Sequence, residues 1–134
     1  PRDRQPRSGE VQSDDLPLLD DERLRELCAL EAALERPILP GLVRAFRESS
    51  VALLATLAEQ VRTADSAGVR VSAHTLAGAA VNLGTLRLAR TAKWLEASSA
   101  DAPGATLSAA VSRAREECEL STCELERRYP LADA

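Results

Sequence analysis

The sequence predicts an all-α fold, an antiparallel up-down four-helix bundle with an additional short N-terminal helix. Three observations lead there. Hydrophobic residues make up 45% of the 134 residues while aromatics make up only 2%, so the core must be built from Leu, Ala and Val. That is the composition of packed helices rather than of a sheet. Apolar residues recur at helical spacing in five segments, and no segment shows the strict alternation of a strand. The later segments are joined by short connections, which favour antiparallel neighbours, so four helices form the bundle and the first packs across one end.

The elements follow in order. Residues 1–18 mix Pro, Arg, Asp, Gln, Ser and Gly with few apolar residues, the composition of a disordered linker or tail, and 19–130 form the helical domain. Asp20 or Asp21 caps the first helix, whose apolar face is Leu24, Leu27, Cys28 and Leu34 and which ends before Pro37. Pro40 and Gly41 punctuate the join. Leu42, Val43, Phe46, Leu53, Leu54, Leu57 and Val61 then define the longest helix, with Ser49 and Ser50 on the same arc. Asp65 or Ser66 caps a third helix that runs to Leu83, Gly84 interrupts it, and Thr85 caps a fourth through Leu88, Ala92 and Leu95. After a loop over 97–104, Leu107, Val111, Ala114, Cys118 and Leu125 give the last helix its buried side, and Pro130 stops it. Its acidic residues Glu116, Glu117, Glu119, Glu124 and Glu126, set among arginines, read as a solvated face.

Composition also limits function. A net charge of -4 and a pI near 5.1 argue against a nucleic-acid partner, which calls for a basic stripe. No apolar run approaches the roughly 20 residues of a membrane span, so no membrane contact is expected and the chain reads as cytoplasmic. Cys28, Cys118 and Cys123 are too few and too scattered for a disulfide framework, and with one histidine in the chain no metal-ligand spacing arises. No cofactor is called for.

The single histidine, His74, is the residue most open to chemistry. Val69, Ala73, Leu76, Ala80 and Leu83 form one apolar stripe at spacings of four, three, four and three. His74 projects roughly 140° from its centre, with Arg70 one turn before and Gly78 one turn after. No carboxylate lies within a helical turn to orient the ring as a proton shuttle, which leaves an imidazole nucleophile. Its reference pKa of about 6.5 leaves it largely neutral near pH 7, and Arg70 favours that neutral form. Gly78 costs about 1 kcal/mol relative to Ala inside a helix, which invites an explanation in access to the ring or in close helix packing.

These residues resemble the histidine-containing phosphotransfer (HPt) domain of two-component phosphorelays. The family's core pattern, Ala-His-x-Leu-Lys-Gly followed by a Gly six residues on, then a Leu and a Leu-Glu, is met here by Ala73, His74, Leu76, Gly78, Gly84, Leu88, Leu95 and Glu96. The likeness extends more loosely over about residues 19 to 128, with a specific part of about 24 residues. It implies that His74 accepts a phosphoryl group from the aspartyl phosphate of one receiver domain and passes it to another. The receivers, expected to include one from a hybrid histidine kinase, supply the magnesium and most catalytic groups, so the bundle is a phosphocarrier and not an enzyme. A monomer is expected.

The family's Lys is Ala77 here. Its loss slows transfer without abolishing it, with Arg70 compensating, and keeps an alternative in play: a docking module of the same fold that binds a receiver without efficient transfer. A third alternative is a helical structural domain in which His74 is incidental. Arg70, Ala77 and Gly78 form the expected phosphoryl environment, and Ala77, Gly78 and Val81 the expected docking surface, apolar at its centre. Lying about 80° from the stripe, Ala77 is expected to tolerate replacement by Lys with little effect on the fold.

Overall fold

The computed structural model describes residues 16–131. They form five α-helices, α1 (Asp21–Leu34), α2 (Leu39–Arg62), α3 (Ser66–Leu83), α4 (Leu86–Ser98) and α5 (Gly104–Arg128), and no strand. The tail expected over 1–18 falls mostly outside the described residues. Two of its residues bond to α4: the carbonyl of Leu16 accepts from Arg87 Nε at 2.6 Å and that of Leu18 from the Leu86 amide at 3.1 Å.

Two helices start where a local side-chain acceptor meets their orphan amides. Asp20 accepts from the Arg23 amide at 3.1 Å to open α1, and Asp65 accepts from the Gly68 amide at 2.9 Å to open α3. For α2 the acceptor comes from another helix. Glu31 of α1 takes the amides of both Ile38 and Leu39 on one carboxylate oxygen, each at 2.8 Å. Pro40 therefore belongs to the first turn of α2, where its missing N–H costs nothing, and does not mark a break. Thr85 is no side-chain cap for α4; its hydroxyl donates backward to the Ala80 carbonyl at 3.1 Å.

Packing follows a ring. α3 lies against α2 and α4, and α5 lies against α2 and α4, while α1 packs on α2 and α3 and reaches α5 through the Asp21–Arg128 ion pair at 3.1 Å. Leu39, Leu54, Leu57, Leu76, Leu88, Leu95 and Leu125 are fully buried at its centre. Because α1 has few neighbours, Leu34, expected on its apolar face, is exposed, as is Leu42 at the start of α2. Across α2 and α5, Arg47 grips Glu126 with two nitrogens, Nε to Oε2 at 2.9 Å and Nη2 to Oε1 at 3.1 Å. Such fork geometry fixes the relative placement of the two helices.

One acidic residue departs from the expected solvated face. Glu117 is buried between α5 and α4, where Thr91 donates to its Oε1 at 2.6 Å and its Oε2 has no partner. Burial raises its pKa above the ordinary carboxylate value, opposed by the Thr91 hydrogen bond and by Arg113, Arg90 and Arg87. With the folded pKa above the unfolded one, the stability Glu117 contributes is full below the unfolded pKa and is lost as pH rises through the folded pKa. Glu117→Gln keeps an acceptor for Thr91 and removes that loss. Thermal unfolding from pH 4 to pH 7 should show the variant gaining on wild type as pH rises; parallel curves would mean the carboxyl ionises freely in the fold.

Candidate functional site

α3 carries His74, and its two ends are fixed by Asp65 and by Gly84. Gly84 takes a left-handed conformation, φ 78°, and its carbonyl accepts from the Asp20 amide at 2.8 Å. Between these ends Val69, Ala73, Leu76, Ala80 and Leu83 face the core. His74 is opposite them with its side chain 75% exposed.

The ring has a partner on the neighbouring helix. Nδ1 of His74 lies 2.9 Å from Oε2 of Glu96, which α4 presents across the seam with α3. A carboxylate only accepts, so Nδ1 bears the proton and the neutral ring keeps its lone pair on Nε2. The orienting carboxylate that α3 lacks is thus supplied from α4. Spacing along one helix could not show it, although Glu96 stands in the motif as the Glu of its Leu-Glu pair.

The other expected site residues divide. Arg70 is exposed one turn before His74, and Gly78 one turn after it. Val71 and Val81 are exposed at 58% and 50%, and they set apolar surface on either side of the ring along α3. Ala77 is a correction. At 5% exposure it is buried on the flank of α3, where an exposed position was expected. The reason is that α3 packs against both α2 and α4, so Ser72 and Ala77 widen the buried arc on either flank of the stripe.

Two expectations follow at neighbouring positions. A Cβ on Gly78 would meet nothing within 4 Å, so the glycine is not needed for close helix packing and its bareness leaves the ring approachable. Gly78→Leu should keep its helical circular dichroism, gain up to about 1 kcal/mol in stability from helix propensity, and lose phosphoryl uptake from a receiver. Unchanged uptake would mean that access does not run past this position. Ala77→Lys, by contrast, must thread a long stem out of the seam and should lower unfolding free energy by about 1–3 kcal/mol in urea titrations. Wild-type stability would show that the seam opens freely at this level.

Among the described residues no group of three or more His, Cys, Asp or Glu is placed to hold a metal, and no helix is long and apolar enough to cross a membrane. What the site offers is one oriented, solvent-facing nucleophile. The sequence profile of the Hpt domain matches residues 41–123, a span that includes α3, α4 and most of α2 and α5, with His74 within it. The chain belongs to the Hpt domain family. Hpt domains are phosphocarriers of two-component signalling that work with receiver domains, and membership supports that role here. The fold of this Hpt domain is similar to the crystal structure of histidine-containing phosphotransfer protein B (HptB) from Pseudomonas aeruginosa PAO1. The TM-score is 0.73 at 24% identity, over 86% of this chain and 96% of that one. No curated protein matches the chain.

Proposed function

We propose that His74 is the phosphoacceptor of a phosphorelay carrier, taking a phosphoryl group from a receiver's aspartyl phosphate and passing it to a second receiver. The observation that carries this is the pairing of Nδ1 with Glu96, which leaves Nε2 as the exposed lone pair. In the forward step Nε2 attacks phosphorus, the N–P bond forms, and the P–O bond to the aspartate breaks with its electron pair leaving on the carboxylate. The ring becomes cationic, and Glu96 holds the Nδ1 proton while that charge exists. Onward transfer runs the same events in reverse toward another aspartate. Arg70 flanks the incoming anion, Gly78 leaves room for it, and Val71 and Val81 give the docking face its apolar contacts.

In this reading α2 to α5 form an antiparallel up-down four-helix bundle with α1 packed across it. Residues 19–130 are the working domain and 1–18 a linker, and the chain acts as a cytoplasmic monomer beside the receiver of a hybrid histidine kinase. The test is incubation with a phosphorylated receiver. Acid-labile, base-stable phosphate on His74 is expected, and none at all would sink the carrier. A docking module without transfer is the second reading, favoured by the buried methyl of Ala77 where α3 offers no cation. Receiver affinity unchanged by His74→Ala, with no labelling of wild type, would support it.

A further inference from the structure

The chain uses arginine for all its cationic side chains except one, and its single lysine, Lys93, is on α4. Its position is specific. α3 and α4 are joined directly through Gly84 and Thr85 and must run antiparallel, so residues equidistant from Thr85 stand at the same level of the hairpin. His74 and Glu96, eleven residues either side of Thr85, confirm this register by their 2.9 Å contact. Ala77 and Lys93, eight residues either side, form the next level, about 4.5 Å along the axis. Of that pair Ala77 is buried and Lys93 exposed, and Lys93 makes no ion pair among the described residues.

We infer that Lys93 is the phosphoryl-binding cation of the site, reaching across the α3/α4 seam to the oxygens of a phosphoryl group on His74. This rests on the carrier reading above. The electrostatics require such a group: a phosphoryl group brings a charge of about −1.5 to −2 to a ring already tied to the Glu96 carboxylate. Arg70 meets that charge from the N-terminal side of the ring only. On the C-terminal side Ala77 offers a buried methyl and Gly78 open space, so α3 supplies room there and no charge. Lys93 stands one turn from Glu96 on the same helix, with three rotatable donors on a flexible four-carbon stem. It can turn to the phosphoryl oxygens when they arrive and to water when they leave.

The sole lysine makes the test direct. Protein grown with lysine labelled with carbon-13 at Cε gives one lysine side-chain resonance, followed by NMR while phosphoramidate phosphorylates His74. That resonance should move as the phosphohistidine forms and return as it hydrolyses. In a parallel arm, Lys93→Gln should take phosphoryl from a phosphorylated receiver about fivefold more slowly than wild type, the factor expected of an exposed ion pair, and Lys93→Arg should restore most of the rate. A resonance that stays put on labelled protein, or wild-type uptake by Lys93→Gln, overturns the inference and leaves the carrier intact. Wild type unlabelled by the receiver overturns the carrier, and the phosphoramidate arm still decides whether Lys93 answers to the phosphoryl group. A histidine labelled by neither source overturns both.

Discussion

His74→Gln is expected to abolish phosphoryl uptake while leaving the fold unchanged. Glutamine keeps a polar, hydrogen-bonding side chain at a position 75% exposed, so unfolding free energy should stay within about 0.5 kcal/mol of wild type. Its amide nitrogen carries no nucleophilic lone pair, so the N–P bond cannot form. Labelled phosphate transferred from a receiver should be undetectable on the variant, and receiver affinity should survive because the apolar contacts of Val71 and Val81 remain. Undiminished labelling would move the acceptor to another residue.

The second large effect lies directly beneath the site. Leu76→Ala removes a fully buried side chain from the inward face of α3 and should cost about 2–5 kcal/mol, transfer loss and cavity together. Against a total of about 5–15 kcal/mol for a domain, that is enough to bring unfolding close to working temperature. Urea unfolding gives the number. A loss under about 1 kcal/mol would show that the core around α3 collapses to fill the space, against the packing described here. Carrier activity measured well below the unfolding temperature should persist in the variant, since Leu76 touches the site only by holding α3 straight.

How far the sequence carried can be judged at α3. Its bounds were legible to within a residue, with the cap open between Asp65 and Ser66 and Gly84 closing the other end, and His74 was legible as exposed because a single helix with a clear stripe has a clear back. Glu96 as the partner of that ring was not, because the bond joins two helices and appears only when their register is known. Ala77 misled for a related reason: a stripe read from one helix assumes one neighbour, and α3 has two large ones. Glu117 shows the same limit in reverse. Its sequence neighbourhood is acidic and solvated, yet the seam of α4 and α5 takes in its side chain and gives it Thr91.

The clasp at the turn between α3 and α4 changes how force travels through the molecule. Leu19 pairs with Thr85, the amide of Asp20 donates to Gly84, and that of Leu86 donates to Leu18, while Leu19, Gly84 and Thr85 are all buried. A connecting turn is normally the first place where amide protons exchange with solvent, but here those of Asp20 and Leu86 are locked by bonds between separate stretches of chain. The joint is a rivet. In the carrier reading, a receiver docked over His74 and Val81 would bear on a hairpin pinned at its closed end.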